Sequence, residues 1–225
     1  MLSRLRQLTP VVFLFCALQT PAVVLYVDLN STNPTPPLTN WITAATNIRD
    51  AIDVADPGDE VLVTNGIYQA GRLTSDGTTN VVAVTNALSL RSLNGPTATL
   101  INGGNAKHCV YLTDGAVLEG FTLANGNARN GGGVWCASTT ATVFNCLLVS
   151  NSATSGGGAY PGTLTNCTLS GRACPFTGTR GGASESIANG CTLRANVTGR
   201  ACPNGTDAKL GGDAAGLTLI RWSPV

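Results

Sequence analysis

The groups able to do chemistry in this 225-residue chain are thiols, amides and aromatic rings more than paired charges. Past the N-terminus the cysteines are Cys109, Cys136, Cys146, Cys167, Cys174, Cys191 and Cys202. They form an odd set without a C-x-x-C pair, so neither a zinc site nor a complete disulfide framework is signalled. Cys146, Cys167 and Cys191 fit a stacked apolar ladder, because a free cysteine packs as a small hydrophobe. Repeat-equivalent inward positions would also be near enough to oxidise, since one coil spacing falls inside the ~4.4–6.8 Å Cα range that a disulfide spans. Cys174 and Cys202, in a loop-rich tail, are the expected disulfide pair. His108 beside Cys109 has the ligand types of a metal site, but neighbours on one strand point to opposite faces. Trp41, Trp135 and Tyr160 offer a sugar-stacking face, and the 25-residue interval from Trp135 to Tyr160 puts that pair on adjacent coils of a repeat. Ring packing within the scaffold is the competing use of these aromatics.

Charge is sparse. From residue 100 to 170 the charged side chains are Lys107, Asp114, Glu119 and Arg129, which form no recurring set. No catalytic, cofactor-binding or metal-binding residue is therefore assigned, and no cofactor is expected. Asn145 and Asn166 each precede a stacked cysteine and are expected to bond one another as an amide ladder. The glycosylation sequons at Asn30, Asn166, Asn196 and Asn204 carry little weight in a chain this rich in Asn and Thr.

The elements that would hold these groups are read from repetition. Phe121-Thr122-Leu123, Cys146-Leu147-Leu148, Cys167-Thr168-Leu169 and Cys191-Thr192-Leu193 begin 25, 21 and 24 residues apart. Three positions earlier stand Leu118, Val143, Leu164 and Ala188. Alternation on a strand puts Phe121, Cys146, Cys167 and Cys191 inside, with Leu123, Leu148, Leu169 and Leu193 stacked beside them. Glycine clusters recur at Gly131-Gly132-Gly133 and Gly156-Gly157-Gly158, and then less regularly at Gly181-Gly182 and Gly211-Gly212, as corners that need positive φ. Units of this size bury an apolar face only against their neighbours, which defines a solenoid. Residues 60 to 170 are expected to make roughly five coils of about 20–25 residues each.

Upstream, Val23 to Asp28 reads as a strand and Asn30 to Thr39 as a proline-rich loop. Ile48, Ala51, Ile52 and Ala55 then follow helical spacing, with Arg49, Asp50 and Asp53 on the opposite, solvated face. A helix near 46–55, capped by Thr46 or Asn47 and stopped by Asp56-Pro57-Gly58-Asp59, sits where a solenoid needs an N-terminal cap. Glu60 to Thr64, Ile67-Tyr68, Val81 to Val84, Leu88 to Leu90 and Ala98 to Ile101 continue as short strands.

Gly, Thr and Asn make up a third of the chain, which disfavours an α architecture. The net charge of +1 gives no basis for a nucleic-acid surface. Residues 1–22, with Arg4 and Arg6 before an apolar run and Thr20-Pro21-Ala22 at the end, read as a signal peptide too short in its apolar stretch to span a bilayer. The protein is expected to be secreted or at the cell surface, with no integral membrane segment after cleavage. Residues 23–170 are expected to form the solenoid and 171–225 a degenerate, poorly ordered set of C-terminal repeats, truncated or partly frame-shifted.

Asp50-Ala51-Ile52, then Pro57-Gly58-Asp59-Glu60-Val61-Leu62-Val63, Gly66-Ile67-Tyr68, the Gly-Gly-Gly-Val/Ala units and the Asn-Cys-x-Leu units resemble bacterial exported right-handed parallel β-helix repeat proteins of the pectate-lyase-like superfamily. Gly157-Gly158-Ala159 adds a partial likeness to polymorphic outer-membrane protein repeats, although their Phe-x-x-Asn is missing. The resemblance implies an all-β, right-handed parallel β-helix with one N-terminal capping helix. A lyase on this fold would use clustered acids holding Ca²⁺ and an Arg or Lys taking a proton from a uronate, and a hydrolase several Asp on adjacent coils. Neither set is present. The expected function is thus non-catalytic surface interaction or adhesion, with a polysaccharide or cell-surface glycan as partner and no nucleic acid. The alternative is a carbohydrate-active lyase or hydrolase acting on an acidic polysaccharide.

Overall fold

The computed structural model describes residues 21–70, 72–73, 78–170, 182–183 and 185–194. The signal-peptide stretch up to Thr20, the Cys174–Cys202 pairing and the tail beyond Arg194 lie outside these residues. Within them the chain winds as the expected all-β parallel β-helix. The first sheet stacks Val24–Val27, Glu60–Val63, Ser89–Ser92, Val117–Glu119, Thr142–Phe144, Gly162–Thr165 and Ser186–Asn189. A second stacks Gly66–Tyr68, Thr99–Asn102, Thr122–Ala124, Leu147–Val149, Thr168–Ser170 and Thr192–Arg194. The third runs through Thr79–Val84, His108–Leu112, Val134–Cys136 and Ala159–Tyr160, with Arg72–Leu73 added antiparallel at its edge. About four turns carry all three faces, and the first two sheets continue past Ser170 into residues 186–194.

Register follows the repeat. Val61, Leu90, Leu118, Val143, Leu164 and Ala188 are successive partners on the first sheet. Ile101, Leu123, Leu148 and Leu169 are partners on the second. All are buried. A slip of one residue would turn each column out to solvent, so apolar burial and the ladder hydrogen bonds specify the same alignment.

Phe121, Cys146, Cys167 and Cys191 are buried as expected, but they stand just before the second-sheet strands, at the corner where the chain leaves the first sheet. The residue ahead of each is left-handed: Gly120 (φ 77°), Asn145 (φ 51°), Asn166 (φ 52°) and Gly190 (φ 59°). This corrects the amide-ladder expectation. Asn145 and Asn166 are exposed, and their role is to tolerate a backbone conformation that otherwise calls for glycine. An amide contact along the rod does form, from Asn125 Nδ2 to Asn102 Oδ1 at 3.2 Å, one corner further on.

The glycine clusters bring chain against chain. A Cβ on Gly126 would collide with the Gly132 carbonyl oxygen. Residues 127–131 therefore leave the coil as an excursion, and Asn127–Asn130 pairs there with Ser152–Ser155 of the next turn. Asn151, 3% exposed, fastens its base by accepting from Gly126 N at 2.8 Å and donating to Leu123 O at 2.8 Å.

The cap is helix α1, Ile48–Val54, whose first turn is closed by Asn47 Oδ1 accepting from Asp50 N at 2.9 Å. Ile48, Ala51 and Ile52 are its buried residues, and the helix packs on Val24–Val27, Glu60–Val63 and Thr79–Val84. The outer edge of Val24–Val27 is covered separately. Tyr26 N donates to Leu38 O at 2.8 Å, Ala45 N to Tyr26 O at 2.9 Å, and Asp28 N to Ala45 O at 2.8 Å. Asp59, which ends the helix, is buried, with its carboxylate accepting from Val23 N and Asp56 N, both at 2.8 Å. No helix among the described residues is long and apolar enough to cross a membrane.

Burial pushes the thiols of Cys109 and Cys136 up to about 12. An unfolded chain releases those protons near pH ~8.5 while the folded chain keeps them, so their stabilising contribution is complete below that pH and is lost as pH rises towards 12. The unfolding free energy from urea titrations should therefore fall through the alkaline range, by up to ~1.4 kcal/mol per pH unit per thiol. Cys136→Ala should flatten that fall by one thiol's share; an unchanged slope would contradict the assignment.

Candidate functional site

The third sheet carries the one continuous aromatic column among the described residues. Trp135 is the register partner of Tyr111 on the turn before and of Tyr160 on the turn after. All three rings are half-buried, standing on the outer face while Val110, Val134 and Ala159 fill the core. Tyr111 meets Trp135 edge-to-face at 5.3 Å between centroids. His108 stacks on the same indole at 5.5 Å and 26°. The imidazole is fixed in turn by Nδ1 lying 2.9 Å from the Gly131 carbonyl oxygen. Trp135 is thus packed between Tyr111 and His108, on a strand hydrogen-bonded on both sides.

Trp41 does not join it. That ring packs against Tyr26 of the first strand at 4.4 Å, on the N-terminal side of the molecule. Tyr111 takes the place expected of Trp41, and it was missed although it precedes Trp135 by 24 residues, one repeat. His108 and Cys109 engage separate partners: the histidine holds Trp135, whereas Cys109 Sγ lies 3.2 Å from the Ala124 carbonyl oxygen in the core.

The charged residues from residue 100 to 170 are scattered. Lys107 precedes the third-sheet strand and its Nζ donates to Gln69 O at 3.2 Å. Arg129 is exposed on the excursion strand, whose Asn127 N donates to Lys107 O at 3.0 Å. Both cations thus precede third-sheet strands along the chain, on consecutive turns. Asp114 lies past the far end of the strand, 3.5 Å from Thr140 Oγ1. Glu119 is on the first sheet, in register with Arg91. Arg91 itself forks onto Glu60 Oε1 at 2.6 Å through both Nε and a terminal nitrogen. That pair escaped the sequence reading because its members are 31 residues apart and lie two positions out of register. It is solvent-washed and contributes at most about 1 kcal/mol. Among the described residues, no group of three His, Cys, Asp or Glu is placed to hold a metal ion.

In fold, the chain is similar to a pectate lyase. The crystal structure of pectate lyase Pel9A aligns with a TM-score of 0.51 at 13% sequence identity, over 78% of this chain and 50% of that one. The chain spans about half the length of that enzyme. At this identity the likeness establishes a pectate-lyase-like parallel β-helix, and the fold alone hosts many functions. No family model and no curated protein matches the sequence.

Ring contact beyond plain burial is worth ~0.5–1.5 kcal/mol per pair. A double-mutant cycle of Tyr111→Ala and Trp135→Ala, read by urea unfolding, should return a coupling energy in that range. Additive losses would mean the two rings stand independently.

Proposed function

We propose that this protein is an exported β-helix that binds an extended glycan along the outer face of its third sheet without turning it over. The observation that carries the reading is the column Tyr111, Trp135 and Tyr160, one half-exposed ring per turn on three successive turns. Turns of a parallel sheet repeat every ~4.8 Å, so the column offers a periodic apolar strip to a polymer whose sugars each present an apolar C–H face. Rings held by their neighbours lose little rotamer freedom on binding, which lowers the cost of association. Lys107 and Arg129, which precede the strands of Tyr111 and Trp135 along the chain, suit a glycan carrying acidic groups. Adhesion to a cell-surface polysaccharide is the role that follows.

The second reading is a carbohydrate-active enzyme acting on an acidic polysaccharide. It is favoured by the fold likeness to pectate lyase Pel9A. The two readings part at turnover. Titration of the mature protein with neutral and uronate polysaccharides, followed by Trp fluorescence, should give saturable binding. Trp135→Ala should weaken it about tenfold or more, ~1.4 kcal/mol. Unsaturated product absorbing in the ultraviolet, in the presence of Ca²⁺, would favour the enzyme; no binding to any polysaccharide would end the first reading.

A further inference from the structure

The corner column that starts with Phe121 continues as three cysteines on three consecutive turns, Cys146, Cys167 and Cys191. Their backbones are locked in register by Thr168 N donating to Cys146 O at 3.0 Å and Thr192 N donating to Cys167 O at 2.8 Å. Neighbouring corners therefore sit about one strand spacing apart, ~4.8 Å, within the ~4.4–6.8 Å Cα separation of disulfides. All three side chains turn into the same buried column, at 0%, 1% and 9% exposure in chain order. Among the described residues, the other buried thiols have no cysteine stacked beside them. Cys136 aligns with Leu112, and Cys109 Sγ is held at the Ala124 carbonyl oxygen.

We propose that Cys167 and Cys191 are a disulfide site that staples the turn bearing Thr192–Arg194 onto the turn beneath it. Three stacked thiols can supply only one bond, and two facts choose the pair. Cys191 is the most exposed of the three, so an oxidant reaches it first. Cys167 is then its neighbour in register, whereas Cys146 is a further turn away. The oxidant is a small-molecule disulfide or the disulfide of an exported thiol oxidase. The Cys191 thiolate attacks one sulfur, forming a mixed disulfide and releasing one thiol. Deprotonated Cys167 then attacks the Cys191 sulfur, forming the Cys167–Cys191 bond and releasing the second thiol. Two protons leave the protein, and its two electrons reduce the oxidant to two thiols.

The environment also sets the pace. Both thiols are raised: Cys167 to about 12, by the stacked Cys146 thiol and by burial although Cys191 acts the other way, and Cys191 higher still, by the stacked Cys167 thiol and by burial. The thiolate, which is the attacking species, is accordingly scarce in the docked turn. Closure is therefore slow near neutral pH and accelerates at alkaline pH.

The test uses the full chain, with Cys174→Ser and Cys202→Ser to remove the tail thiols, incubated with oxidised glutathione and then alkylated after denaturation. The expected result is the loss of two hydrogens and of two alkylation sites, with a dithiothreitol-sensitive peptide joining Cys167 to Cys191. Cys191→Ser should abolish that peptide, with circular dichroism confirming that the strands are kept. Full alkylation of Cys167 and Cys191 after oxidation overturns the proposal, as does a linking peptide that joins Cys146 to Cys167. Peptide mapping of the chain that retains Cys191 decides the matter even if the Cys191→Ser variant fails to fold.

Discussion

The parallel strands of the rod are hydrogen-bonded in register to the turns beneath and above them, bonds running in both directions, and antiparallel Arg72–Leu73 is the exception among the described strands. This constraint governs everything else. A side chain's surroundings are inherited from its repeat-equivalents, so Leu118, Val143 and Leu164 stand in one column and share one role. Apolar residues build the core as columns, aromatics on the outer face become a strip, and cysteines at the corner become neighbours. Where the chain must bend between sheets, the constraint passes to the backbone, and Gly or Asn appears because left-handed φ is needed there on each turn.

Such a fold is unusually open to reading from sequence, because translational repetition turns long-range contacts into a period. The 25-residue steps from Phe121 to Cys146 and from Trp135 to Tyr160 correspond to pairs that the structure places side by side. The cap was legible for a different reason: helical spacing of Ile48, Ala51 and Ile52, with Asn47 placed to accept from the first turn, is local information.

What could not be read depended on direction or on phase. The triplet pattern gave the burial of Cys146 and Cys167 but not their place at a corner, and hence Asn145 and Asn166 suggest a side-chain ladder when they serve the backbone. Arg91 and Glu60 meet diagonally, which no strict period reveals. Trp41 shares a residue type with Trp135 but not a repeat, and it packs on Tyr26 of the first strand instead. The aromatic column was legible in two of its three members; the stacking of His108 on Trp135, with the imidazole held at the Gly131 carbonyl, was not.

The covered edge at the N-terminal side gives the rod a polarity that matters for how such a gene changes. With Leu38 and Ala45 hydrogen-bonded over the first strand and α1 laid across the core, a turn cannot be added there without dismantling the cap. Length can vary only by whole turns inserted above it. A gain or loss of one complete repeat preserves every column, whereas a fraction of a repeat throws all later columns out of phase. Divergence by duplication and deletion is thus restricted to steps of one coil, and the length of the rod is counted in the same steps.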